Sequence, residues 1–278
     1  MKLPKFALNS SLYLSEISVL FRRRRTWAML ATIALIPIAL ASAVALSSST
    51  IPAGEGPPFL DRVSHNGFFV GFTALVVAMP LFLPLTIAVV SGDSIAGEAN
   101  TGTLRYLLIA PVSRARLLAV KFFGAIVFSF AAIFTLLLSG LVIGAALFHI
   151  GPVTLLSGDV ISLPAALYRL FLLLCYGTIS MIGLSALGIF ISTLTVIPVG
   201  AMAATVVIST VMQILDNLPQ VAVIHPYLIS HNWLGFADLL RSPMDFGSFA
   251  TNAIVQLCYV GIFGALSYSR FSTKDILS

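Results

Sequence analysis

Six stretches of this chain, each 20 residues or longer, have no Asp, Glu, Lys, Arg or His near their middle: 27–46, 68–90, 122–148, 170–192, 196–215 and 249–268. An α-helix rises about 1.5 Å per residue, so 20 residues reach about 30 Å, the thickness of a hydrocarbon bilayer core. Only 9% of residues are charged and 59% are hydrophobic, where a soluble domain averages about 25% charged. The chain therefore reads as an all-α integral membrane protein with six transmembrane helices and a single transmembrane domain over 1–278. Cys175 and Cys258 fall inside apolar segments and read as packing residues rather than a disulfide, since buried cysteine behaves as a small hydrophobe.

The basic residues mark the orientation. If the N-terminus is cytoplasmic, Lys2, Lys5, Arg22 to Arg25, Arg105, Arg114, Arg116, Lys121, Arg270 and Lys274 lie inside, and only Arg62, Arg169 and Arg241 lie outside. That asymmetry is a strong positive-inside signal, and it puts both termini and residues 91–121 in the cytoplasm. Residues 1–25 include an amphipathic helix from Ser10 to Arg25. Ser11, Ser15, Ser18 and Arg22 occupy one side, and Tyr13, Ile17, Leu20 and Phe21 the other. Such a helix lies on the membrane surface as an elbow. The block Arg22 to Arg25 next to a span is topogenic.

Within the spans, Pro80 and Pro84 sit four residues apart and predict a kink in segment 68–90. Gly140-x-x-x-Gly144 predicts a close-packing surface in segment 122–148. Ser, Thr and Gln residues inside the spans (Thr135, Ser139, Ser180, Ser185, Ser209, Thr210, Gln213, Gln256) are expected to bond across helices. Residues 149–169 read as a loop. In 216–250, Tyr227 to Arg241 reads as a short interfacial or re-entrant helix, with Trp233 at headgroup depth.

The stretch 91–121 differs from everything around it. It is polar, carries Asp93, Glu98, Arg105, Arg114, Arg116 and Lys121, and lies between two spans. Gly102-Thr103 opens a short helix, Thr103 to about Ala110, that Pro111 stops. Leu104, Leu107 and Leu108 give it one apolar stripe, with Arg105 alongside. Ser113 is an N-cap for the next helix, which carries Arg114 and Arg116 into the third span. The pattern is a short braced helix at the membrane surface, suited to be pushed by a soluble partner.

Several chemistries are missing from the sequence. It has no G-x-x-x-x-G-K-[ST], the backbone cradle for nucleotide phosphates. Without mid-membrane charges it lacks the usual mark of proton or ion coupling. His225, His231 and Asp238 form a conceivable metal site, but surface histidines are the plainer reading. No nucleic-acid partner is implied, because the basic residues sit at the ends of apolar segments.

The pattern Glu98-x-x-x-Gly102-Thr103-Leu104-x-x-Leu107-Leu108-x-x-Pro111-x-Ser113-Arg114-x-x-Leu117-Leu118-x-x-Lys121 resembles the cytoplasmic loop of type 2 ABC transporter permeases. These are six-span exporter subunits, similar to those of drug-resistance, lantibiotic-immunity and nitrous-oxide-reductase maturation systems. The six-span layout, the elbow helix and the tail Arg270-Phe271-x-x-Lys274-Asp275-Ile276 also resemble the family. The resemblance implies a coupling helix between spans two and three that docks on a separate ATPase, with Glu98, Gly102, Thr103, Leu104, Arg105, Leu107, Leu108, Pro111, Ser113 and Arg114 at or near the contact. It implies a dimer of permeases, identical or homologous, on two ATPase copies in a bacterial cytoplasmic membrane. ATP and Mg would be bound by the partner, with no cofactor in this chain and no catalysis by it. The uncharged spans favour a lipophilic or amphipathic cargo moved outward. The competing expectation is a membrane anchor or signalling component that uses the same ATPase contact without transport.

Overall fold

The computed structural model describes residues 5–47, 66–103, 113–149, 151–155 and 157–273. Its helices are α1 (Lys5–Arg22), α2 (Arg24–Ser47), α3 (Phe69–Ala78), α4 (Phe82–Asn100), α5 (Arg114–Leu147), α6 (Leu163–Leu194), α7 (Pro198–Asp216) and α8 (Gly247–Thr273). Helices α2, α5, α6, α7 and α8 are each long and apolar enough to cross a membrane, and α3 and α4 together form a bent pair.

The pair α3/α4 turns through 60° at Met79 to Leu81. Proline has no amide hydrogen to donate and its ring clashes with the preceding turn, so Pro80 breaks the helix there, while Pro84 is tolerated in the first turn of α4. The kink expected from this pair is present. Contacts along α5 show that the pair is one broken span and not a re-entrant loop. Gly67, just before α3, abuts Gly144 near one end of α5. Glu98, near the end of α4, meets Lys121 near the other. Residues 121 to 144 of a helix cover about 35 Å, so α3 and α4 together cross the same distance. The described residues thus hold six crossings.

The glycines of α5 do what their spacing suggests, and the partner surface has the same spacing. A Cβ at Gly140 would lie 2.5 Å from the Gly71 Cα, and one at Gly144 would overlap the Gly67 carbonyl oxygen. Gly67-x-x-x-Gly71 therefore faces Gly140-x-x-x-Gly144 in antiparallel fashion, backbone on backbone. In lipid, helix association depends on such close packing because no hydrophobic force drives helices together. Gly140→Leu is expected to destabilise the protein by at least about 1–3 kcal/mol, the usual cost of overpacking. Gly261→Leu is the matched control, since nothing lies within 4 Å of a Cβ there. Thermal unfolding in detergent should separate the two; equal midpoints would contradict the packing.

Helix α6 is the centre of the bundle and touches α4, α5, α7 and α8. Its buried positions are rich in small residues, among them Gly177, Ser180, Gly183, Ser185, Ala186, Gly188 and Ser192, which lets four neighbours approach closely. Helices α7 and α8 are mostly exposed, with Val199, Val207, Ile254 and Leu257 pointing outward; apolar residues there are solvated by lipid. The polar side chains within the spans mostly bond inside their own helix, which corrects the expectation of cross-helix bonds. Thr135, Ser139 and Ser185 donate to carbonyls one turn back. The exceptions include Ser192 of α6, which bonds to α4, and two residues of α8: Asn252 donates to the Ser180 hydroxyl at 2.8 Å, and Gln256 accepts from Gly183 N at 3.1 Å and donates to the Ile229 carbonyl at 2.9 Å.

The end of the bundle away from α1 is closed by connecting segments. Residues expected to form a plain loop include a two-stranded antiparallel hairpin, β1 (Val153–Thr154) paired with β2 (Val160–Ile161), and α6 begins at Leu163 with Pro164 in its first turn. Between α7 and α8 lie two 3-10 helices, Pro219–Tyr227 and Gly235–Leu240. Trp233 corrects the interfacial reading: it is 2% exposed and belongs to the apolar core. Arg169, counted as an outer charge, is buried and donates to the carbonyls of Leu239 at 3.0 Å and Arg241 at 2.8 Å, pinning this segment onto α6. His231 Nδ1 pairs with Asp216 at 2.6 Å. No group of three metal-ligating side chains occurs among the described residues, so the arrangement of His225, His231 and Asp238 is not a metal cluster. Cys175 and Cys258 are free thiols.

Candidate functional site at the charged end of the bundle

The polar stretch between the second and third crossings is built from three helix ends. Helix α4 continues past the apolar Val90 through Ser91, Asp93 and Glu98 to Asn100. It stops at Gly102, whose φ of 70° is the left-handed conformation that terminates helices and suits glycine. Thr103 lies in the turn, and its hydroxyl donates to the Glu98 carbonyl at 3.2 Å. Leu104, Arg105, Leu107, Leu108 and Pro111, the core of the expected coupling helix, lie outside the described residues. The chain is described again at Ser113. There the expected N-cap is present, with the Ser113 hydroxyl accepting from Arg116 N at 3.3 Å. Arg114, Arg116 and Lys121 are therefore the first two turns of α5.

Both sides of the segment 104–112 are anchored by charge. Lys121 is 5% exposed. Its ammonium bonds both carboxylate oxygens of Glu16, at 3.0 and 2.8 Å, and also contacts Glu98. Two carboxylates thus surround one cation, and Glu98 Oε2 is buried without a hydrogen-bond partner. On the other side of α4, Asp93 is 7% exposed and receives Arg23 at 2.8 Å together with Arg25. A charge taken out of water is tolerated only with a partner at close range. These clusters therefore fix helix α1, the start of α2, the end of α4 and the start of α5 relative to one another.

Hydrogen bonds complete the anchorage. The Ser192 hydroxyl of α6 accepts from Ile95 N at 3.1 Å and Ala96 N at 2.8 Å and donates to the Gly92 carbonyl at 2.6 Å. It sits inside the α4 ladder, between a carbonyl and an amide that would otherwise bond each other. Arg114 donates to the carbonyls of Phe271 at 2.6 Å and Ser272 at 2.7 Å. Those carbonyls lie in the last turn of α8, where helix carbonyls need partners from outside the helix.

The elbow helix takes the expected orientation, with one addition. Ser15, Ser18 and Arg22 are exposed, while Leu20 is buried and Tyr13, Ile17 and Phe21 are half-buried. Tyr13 meets Phe123 of α5 edge-on at 5.2 Å. The turn into α2 is held by Thr26, which donates to the Leu20 carbonyl at 2.7 Å, and Trp27, which donates to the Phe21 carbonyl at 2.8 Å. Glu16 was not singled out from the sequence, yet it faces the bundle and holds Lys121. Leu14 and Val19 remain exposed.

Of the expected contact residues, Glu98 and Arg114 are thus engaged inside the chain, Gly102 and Ser113 shape helix ends, and Thr103 braces the turn. The residues that reasoning from the sequence missed are Glu16, Arg23, Arg25, Asp93 and Lys121 in their role as a network. Their signal was available: opposite charges at the ends of adjacent apolar segments share one depth in the membrane and are drawn to pair.

This arrangement joins an N-terminal elbow and six crossings to a charged hub around the second–third connection, and the family model described as "ABC-2 family transporter protein" matches residues 11–276. The chain belongs to the ABC-2 transporter family. No curated protein matches it. As an ABC-2 permease it is a transmembrane subunit of an ABC transporter, and members of this family in general partner an ABC ATPase subunit.

Proposed function

We propose that this ABC-2 permease is the membrane half of an ATP-driven exporter, with residues 103–110 as the coupling helix that the ATPase moves. The observation that carries the reading is the double anchorage of the segment 104–112. The helix before it is tied to α1, α2 and α6 through Glu98, Asp93 and the Ser192 bonds. The helix after it is tied to α1 and α8 through Lys121 and Arg114. A push on this segment is therefore delivered through α4 and α5 to four further helices, α1, α2, α6 and α8. The charge asymmetry of the sequence assigns this end to the cytoplasm, the side on which ATP is found. Two copies of the permease, identical or homologous, on two ATPases would swing their coupling helices together and alternate access between them. The apolar spans suit a lipophilic or amphipathic cargo: a drug, a lipid or a hydrophobic peptide. A bacterial cytoplasmic membrane is the expected location.

The test is purification of the tagged permease from its own membrane. It should bring down an ABC ATPase; the complex should hydrolyse ATP and do so faster with lipophilic cargo, while the permease alone should hydrolyse none. Hydrolysis by the pure chain would contradict its reliance on a separate ATPase, and a complex whose ATPase is indifferent to every lipophilic compound while cells export nothing would favour the anchor role over transport.

A further inference from the structure

The groove between α5, α6 and α8 is separate from the charged hub and from any role given above. It is a cavity of about 270 Å³, open toward the lipid. Its room comes from small side chains, Ala119 on α5, Ala186 on α6 and Gly264 on α8, over a floor that includes Ile189. Ala119 and Gly264 are exposed at the mouth. That volume has room for water, but water settles only where it finds two to four polar partners. The groove offers one polar side chain within its walls, Ser267, and the Tyr268 hydroxyl at its exposed edge.

Ser267 is the informative residue. It is 3% exposed, lines the groove, and its hydroxyl has no hydrogen-bond partner. Ser129, Ser139 and Ser185 satisfy theirs by donating to the carbonyl one turn back. A buried hydroxyl left unmade in an apolar wall is costly, and an oxygen-bearing ligand in the groove would relieve it. One helical turn further along α8, about 5.4 Å, is Phe271, whose carbonyl holds Arg114. Arg116 follows the groove residue Ala115 on α5, and exposed Arg270 follows the groove residue Tyr268 by two positions on α8. No ion pair to Arg114, Arg116 or Arg270 occurs among the described residues, and no Asp or Glu lines the groove. The order from the charged end inward is therefore cationic groups, then a hydroxyl, then an apolar slot.

We propose that this groove is a binding site for one anionic phospholipid of the adjoining leaflet. The phosphate lies beside Arg116 and Arg270, an ester oxygen accepts from Ser267, and one acyl chain runs past Gly264 toward Val260. The charge order is that of a glycerophospholipid, which places its phosphate outside its ester oxygens and its chains innermost. The site holds a resident lipid and does not rest on the cargo or the direction of transport. Because α5 and α8 carry the Arg114 contact, a lipid seated between them braces the end of α8 against the hub.

The full chain in lipid nanodiscs, labelled with phosphatidylglycerol bearing a photoreactive acyl chain, tests the proposal. Cross-links are expected on 115–122 and 260–268. Gly264→Phe fills the slot, and a Cβ there meets nothing within 4 Å, so the fold tolerates it; labelling should fall about tenfold or more. Ala119→Phe should do the same from the facing helix. Arg116→Gln with Arg270→Gln should weaken labelling roughly fivefold per arginine, without weakening labelling by phosphatidylcholine. Ser267→Ala should lower labelling by both lipids. Labelling spread evenly around the lipid-facing helices, or unchanged by Gly264→Phe and Ala119→Phe, would overturn the site. So would chain-to-chain cross-links through Gly264, which would make this face an interface between copies.

Discussion

Lys121→Met is expected to loosen the elbow helix from the bundle and to cost about 3–5 kcal/mol, the usual penalty for breaking a buried ion pair by removing one partner. Lys121 is 5% exposed, and the methionine would leave Glu16 and Glu98 facing each other in a site with little water. The loss is not of attraction alone, since two half-buried carboxylates then repel. Adding Glu16→Gln and Glu98→Gln to Lys121→Met should recover much of the stability, because neutral amides need no counter-charge. Arg241→Met is the comparison: its pair with Asp238 is 3.5 Å long and exposed, and such surface pairs contribute about 0–1 kcal/mol. Thermal unfolding in detergent checks the order, and hydrogen exchange across α1 checks the mechanism. If Lys121→Met melts like the wild type and α1 keeps its protection, the hub does not hold the elbow.

That hub shows what the sequence could and could not tell. The six crossings were legible because an apolar run of fixed minimum length has few other uses. Their ends were less so. Helix α5 begins at Arg114, eight residues before the apolar run at Phe122, because Arg114, Arg116 and Lys121 reach lipid headgroups or partners from helical turns as readily as from a loop. Likewise Asp93 and Glu98 belong to α4 and not to a connecting loop. The kink at Pro80 and the glycine face at Gly140 and Gly144 were legible from backbone rules alone. The opposing face, Gly67 and Gly71, was not, because Gly67 precedes the apolar segment and looks like a loop glycine. Trp233 was misplaced because aromatic residues near span ends so often sit at the headgroups; here Arg169 holds the stretch around Leu239 and Arg241 on α6, and Trp233 is buried in the core beside it. The shared depth of these charges was legible, but which of them pair, as Glu16 does with Lys121, depends on how the helices pack, which no local pattern encodes.

The second large effect falls on the segment 104–112 itself. Leu104, Leu107 and Leu108 form the apolar stripe expected to seat in a groove of the ATPase. A few central, desolvated residues carry most of an interface's binding energy, and each can be worth about 2 kcal/mol or more, or roughly thirtyfold in affinity. An aspartate at Leu107 or Leu108 would bring a charge with no partner into that contact. It should not block insertion, since these residues lie outside the spans. Arg105→Ala should be milder, as a rim ion pair contributes about 1 kcal/mol or less. The anchorage on both sides of the segment makes this a clean perturbation, because the hub residues are untouched.

The decisive measurement is the amount of ABC ATPase that co-purifies with wild-type permease, Leu107→Asp and Leu108→Asp, normalised to permease recovered from the membrane. Each leucine variant is expected to retain at most about a tenth of the wild-type ATPase while inserting normally, with cargo-stimulated hydrolysis lost in parallel. Wild-type recovery of the ATPase and undiminished stimulation in both variants would contradict the coupling role of this segment and move the contact elsewhere, first to helix α1.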